Sequence, residues 1–164
     1  MRKAIPKKAQ PAKPKTQQRQ VLLRAAFRHI LVPTDGSREA GAGVKKAIAL
    51  ARDLGARLRA VYLPPLPPAS ADIGLGALHD APLLVEHFDQ MAKAQAEKAL
   101  ARIQAAAEEA GVECTGETLQ AREPWPALLE RARALRCDLL VVAPHGRLEG
   151  GAPAGAEVSI LVLA

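Results

Sequence analysis

Short apolar runs, each closed by turn residues and separated by helix-length stretches, constrain this chain more than any other feature of its sequence. His29, Ile30, Leu31, Val32 and Pro33 run into Thr34, Asp35, Gly36 and Ser37. An unbroken apolar run bounded by turn formers reads as a strand buried on both faces. Ala40, Val44, Ala47, Ala51 and Leu54 follow at three- and four-residue steps, the stripe of an amphipathic helix. Ser37 is placed to cap its start and Gly55 to end it. A second strand is expected over 57–63. A loop rich in proline (Pro64, Pro65, Pro67, Pro68) then extends to about Pro82, longer than compact domains usually allow. A long helix over 82–110 carries Leu84, Phe88, Met91, Ala99, Ile103 and Ala106 on its expected inner side. A strand over 112–119, a helix over 125–135 and strands over 138–143 and 158–163 complete the pattern. Strands alternating with helices predict an α/β fold, a five-stranded parallel sheet with helices on both faces. Right-handed crossovers leave few topologies for it.

A chain of 164 residues suits one domain. Aromatics make up only 2% of it, so its core must be aliphatic. No apolar run approaches the roughly 18 residues of a membrane helix, and no membrane span is expected. The apolar stretch at 21–27 is short and broken by Arg24, which is no signal peptide, so the expected location is cytoplasmic. The formal charge of +6 belongs to one end: seven of the 23 basic residues and none of the 17 acids lie in the first twenty positions. The remaining 16 basic residues face 17 acids. Residues 1–26 therefore read as a basic, disordered tail, whose composition cannot offset its ordering entropy, and 27–164 as the folded domain. The tail is either a solvated extension or a tether to an anionic partner such as nucleic acid or lipid. The near-neutral domain lacks the basic face of a nucleic-acid reader. Cys114 and Cys137 have neither metal spacing nor a redox motif and read as small buried hydrophobes.

In open α/β sheets the ligand crevice lies beyond the carboxyl ends of the strands, here the segments 33–37 and 143–147. Asp35 suits a turn acceptor and equally an acceptor for a nucleoside hydroxyl or base amine. His145 has no nucleophile motif nearby and reads as a loop histidine, not a general base. His79 and His87 lack metal-ligand spacing. Neither phosphate-binding glycine motif, G-x-x-x-x-G-K-[ST] or G-x-G-x-x-G, is present. Gly146, Gly150, Gly151 and Gly155 form either a phosphate loop or a plain connection. With no catalytic motif, the chain is not expected to be an enzyme.

The segment from Phe27 through Ser37 resembles the opening of the universal stress protein family. Leu58, Arg59, Ala60, Val61 and Tyr62 are similar to that family's second strand. Glu123 and Pro124, a helix, and then the segment from Cys137 through Arg147 resemble its later part, up to the fourth strand and glycine loop. The likeness runs from Phe27 to Ala164. It implies strand order 3-2-1-4-5, a homodimer, and in many members ATP at the strand ends. The nucleoside and phosphate contacts it implies fall on Pro33, Thr34, Asp35, Val61, Val142 and Gly146.

The phosphate part of the family pattern, G-x2-G-x9-G-[ST], is degenerate here. Its positions fall on Ala143, Gly146, Ala156 and Glu157, and a carboxylate in place of the hydroxyl repels phosphate. Fourteen residues separate Ala143 from Val158, too few for a glycine loop plus a helix of roughly eleven residues. The fourth helix is expected to be missing. These departures predict a non-catalytic stress-response module with weak or lost nucleotide binding. No cofactor is certain, and ATP or AMP is admitted through a retained nucleoside pocket, the alternative being an ATP- or AMP-responsive switch. The last strand, from Val158 to Leu163, is expected at a sheet edge, where it pairs with its copy in a homodimer.

Overall fold

The computed structural model describes residues 26–66, 82–144, 146–149, 153 and 155–163. The tail up to 25, the segment 67–81 with His79, and His145 lie outside the described residues. The elements follow in the order β1 (His29–Thr34), α1 (Arg38–Leu54), β2 (Arg57–Tyr62), α2 (Pro82–Glu109), β3 (Cys114–Thr118), α3 (Pro124–Ala134), β4 (Leu139–Val142) and β5 (Ser159–Val162). All strand pairs are parallel, in the order β3-β2-β1-β4-β5. Between β4 and β5 the described residues hold a single 3-10 turn, Gly146–Leu148, and no α-helix.

The central strands are apolar on both sides because both sides are covered. Ile30, Val32, Leu58, Ala60, Leu139 and Val141 meet α1 and α2 on one face. Leu31, Val61, Leu140 and Val142 meet Leu128 and Ala132 of α3 on the other, where Leu148 of the 3-10 turn also packs. Ser37 Oγ accepts the Ala40 N–H at 3.1 Å and caps α1. At its end Ala56 N–H donates to Ala51 O at 2.9 Å and Gly55 N–H to Arg52 O at 3.2 Å. Asp138 fastens the start of β1, its carboxylate accepting the N–H groups of Arg28 at 2.8 Å and His29 at 3.0 Å.

The inner face of α2 differs from the expected one. Ala96, Ile103 and Ala107 are buried, whereas Ala106 is exposed and Phe88 and Met91 are 42% and 47% exposed. Alanine is so frequent in this helix that several stripes fit its sequence equally. Its 28 residues reach about 42 Å, against about 17 Å for the five residues of β3, so its first turns overhang the sheet. Of the two cysteines, Cys137 is buried and Cys114 only partly so.

Proline in the middle strand opens the sheet at the carboxyl end of β1. Asp138 N–H donates to His29 O, so the odd residues of β1 face β4. Pro33 therefore turns toward β4 with no N–H to give. The β1–β4 ladder stops at Leu31↔Leu140, while β1–β2 continues through Thr34↔Tyr62. The crevice thus forms between the two strands at which the sheet order reverses, the switch point of an open α/β sheet.

Candidate functional site

A cleft of about 290 Å³ lies at this opening, lined by Asp35, Tyr62, Leu63, Gln95, Gly146 and Arg147 among others. Asp35 serves the turn and the cleft together. Its Oδ1 accepts the Ser37 N–H at 2.9 Å, while Oδ2 lies beside Gly146, where an added Cβ would approach it to 3.0 Å. Gly146 has φ +47°, a conformation that resists side-chain-bearing residues. Tyr62 is buried, and burial followed by the Asp35 carboxylate pushes its phenol up. It therefore stays a neutral O–H donor beside a carboxylate acceptor, a pair suited to hydroxyl and amine groups of a ligand.

Of the residues expected to form the site, Asp35 and Gly146 come together in the cleft. Pro33, Val61 and Val142 are fully buried in the strands beneath it. Thr34 is buried too, its Oγ1 accepting the Gly36 N–H at 3.1 Å, and it borders a different cavity. Gln95 lies outside the segments that the sequence places at the crevice, and Arg147 ends one of them without an expected contact. Gln95 reaches the cleft only because α2 crosses it, and no local pattern marks such a residue. Arg147 adjoins the anticipated Gly146, so its place after a glycine at a strand end was a usable signal.

The described residues after β4 are engaged in structural contacts. The Arg147 guanidinium donates to the carbonyl oxygens of Ala121 and Arg122, which holds the 3-10 turn against the approach to α3. Leu148 is buried beside Leu128. Glu157 pairs with Arg133 of α3 at 3.1 Å and does not line the cleft. Ala143 also has a structural partner: α1 passes so close that a Cβ on Gly43 would stand 2.4 Å from the Ala143 Cβ. A second groove, lined by Leu66, Phe88 and Met91, adjoins the cleft across Gln95. Among the described residues no group of His, Cys, Asp and Glu side chains is arranged to hold a metal, and no helix is long and apolar enough to cross a membrane.

An open parallel sheet of order 3-2-1-4-5, with an aspartate and a glycine facing each other across its switch point, defines a doubly wound α/β protein with a crevice at the carboxyl ends of its strands. Residues 26–155 match the model of the universal stress protein family, and the chain belongs to that family. A universal stress protein of Methanocaldococcus jannaschii is 30% identical over 121 residues, 74% of this chain and 66% of that relative. The chain thus spans slightly less than two thirds of that relative's length. Among solved structures, a family member from Burkholderia pseudomallei superposes with TM-score 0.62 at 24% identity, covering 85% of this chain and 97% of that one. A universal stress protein in complex with cAMP superposes with TM-score 0.59 at 25% identity, covering 85% and 98%.

Proposed function

We propose that this chain is a non-enzymatic stress-response module that acts through dimerisation or partner binding, and that tight MgATP binding has been lost. The observation that carries this reading is the commitment of the described residues after β4 to structural contacts. Arg147 is tied to carbonyls, Leu148 is in the core and Glu157 faces Arg133, so the described residues after β4 offer no polar cradle for a phosphate chain. The cleft, at about 290 Å³, also stands at the small end of ligand pockets, roughly 300–1,000 Å³.

A second reading, an AMP-responsive switch, is favoured by the nucleoside end of the same cleft. Asp35, Tyr62 and Gly146 supply an acceptor, a donor and a close backbone approach, and the relative bound to cAMP has the same fold. Calorimetric titration of the full chain with adenosine, AMP, cAMP and MgATP separates the two. Weak binding of the nucleoside or monophosphate, with MgATP no tighter, supports a retained nucleoside pocket. No binding of any of them leaves the partner-binding module alone. Micromolar or tighter MgATP affinity overturns the loss of the phosphate site.

For assembly, β5 is the proposed contact, through the segment from Val158 to Leu163. It is an edge strand, and Leu161 and Val162 are 38% and 46% exposed. An apolar edge with unpaired backbone groups invites a second strand, and a two-fold axis lets two copies satisfy each other.

A further inference from the structure

Across the β1–α1 turn from the cleft lies a larger cavity of about 380 Å³, between the start of α1 and the middle of α2. Its polar lining is Thr34, Ser37, Arg38 and Arg102, with no carboxylate among the lining residues. We infer that this cavity is a second ligand site, selective for a phosphoryl group held between the guanidiniums of Arg38 and Arg102.

Among the described residues neither cation is compensated. Neither arginine makes an ion pair or side-chain hydrogen bond among the described residues. Their helical neighbours supply no acid either: Arg38 is followed at three and four residues by Gly41 and Ala42, and Arg102 is flanked by Lys98, Ala99, Ala105 and Ala106. Both arginines are exposed and line one cavity, and planar guanidinium forks there match phosphate oxygens well. The two hydroxyls add donors. Thr34 Oγ1 and Ser37 Oγ each accept a backbone N–H, which leaves each O–H proton to be given to a ligand oxygen. The first-turn amide of Ala40 is already taken by Ser37, so the guanidiniums and hydroxyls, not the helix end, carry the site. Gly41 is a further sign. A Cβ there meets nothing within 4 Å, so packing does not require the glycine. It costs α1 about 1 kcal/mol of helix propensity and leaves the cavity open.

The test is a residue-resolved NMR titration of the full chain with inorganic phosphate and, separately, with methyl phosphate, at ionic strength held constant with sodium chloride. Saturable shifts of the Gly36 and Gly41 amides are expected. Tighter binding of methyl phosphate assigns an organic phosphate, and equal affinity assigns the free ion; either supports the site. Arg38→Gln and Arg102→Gln should each weaken binding about tenfold, and Lys at either position should weaken it less. Gly41→Val, which fills open space without removing a charge, should abolish the shifts while the far-ultraviolet circular dichroism stays that of the parent. Absence of saturable shifts overturns the inference, as does their survival in the double Arg→Gln variant. Adenosine, which carries no anion, reports on Gly146 separately, so failure of the nucleoside reading leaves this one standing.

Discussion

At the scale of single residues, the contact between Gly43 and Ala143 explains one departure from the family pattern. Ala143 stands where the pattern has a glycine, and its methyl group fills the space that a side chain on Gly43 would need. Gly43→Ala should therefore destabilise the protein by about 1–3 kcal/mol through overpacking, despite a gain of about 1 kcal/mol in helix propensity. Adding Ala143→Gly should restore most of the loss, read as the midpoint of urea unfolding. An unchanged midpoint for Gly43→Ala alone would mean that α1 shifts freely. Asp35 carries a different prediction. Asp35→Asn keeps an acceptor for the Ser37 N–H but loses the charge facing Gly146 and the cleft. If a nucleoside binds, Asp35→Asn should weaken it about tenfold with the unfolding midpoint preserved. Asp35→Ala should lower both affinity and midpoint.

At the scale of elements, the edge of the sheet is tied to α3 by charge. Glu117 of β3 accepts both Nε at 2.6 Å and Nη2 of Arg131, and this hydrogen bonding holds its carboxyl below the ordinary value of 4.5. A lowered carboxyl stabilises the fold in full above the ordinary value and loses that contribution as pH falls through the folded one. The stability difference between parent and Glu117→Gln should thus shrink as pH drops below 4.5, measured by urea unfolding across the range. A constant difference would show that the pair does not couple β3 to α3. At the opposite edge, exposure along the last strand is uneven. Leu163 packs against the core, whereas Leu161 and Val162 lie open. Leu161→Lys with Val162→Lys should give a folded monomer by light scattering, and a persisting dimer would place the interface elsewhere.

At the scale of the whole molecule, charge and core are separate matters. The domain's stability rests on two aliphatic layers, and the first twenty residues, rich in Lys and Pro, offer little to bury. Deleting residues 1–20 should leave the thermal midpoint unchanged; a clear drop would mean that the tail docks. If the tail tethers the protein to an anionic surface, that binding must weaken steeply with added salt. The pH response of the whole also has a source in the sheet. Burial, then Arg57 and Arg59, lower the pKa of His29 below 6.5. The unfolded chain takes up a proton there before the folded one does, so stability should decline as pH falls below 6.5. His29→Gln should flatten that decline.

Local chemistry made much of this protein legible from sequence alone. The run from Ile30 to Val32 had to be a buried strand, and Ser37 and Gly55 had to bracket a helix, because hydrophobic periodicity and capping act over a few neighbouring residues. Fourteen residues between Ala143 and Val158 left no room for a fourth helix, which is a matter of chain length. The strand order, read from family likeness, was likewise available. Tertiary structure alone decided what depends on distant segments meeting. Which stripe of the alanine-rich α2 turns inward is set by where the sheet ends, not by the helix itself. The entry of Gln95 into the cleft, the pairing of Glu157 with Arg133 and the approach of Gly43 to Ala143 follow from packing across the sheet. The joining of Arg38 and Arg102 at one cavity has the same origin: residues 64 apart in the chain share a site only because two helices cover the same face.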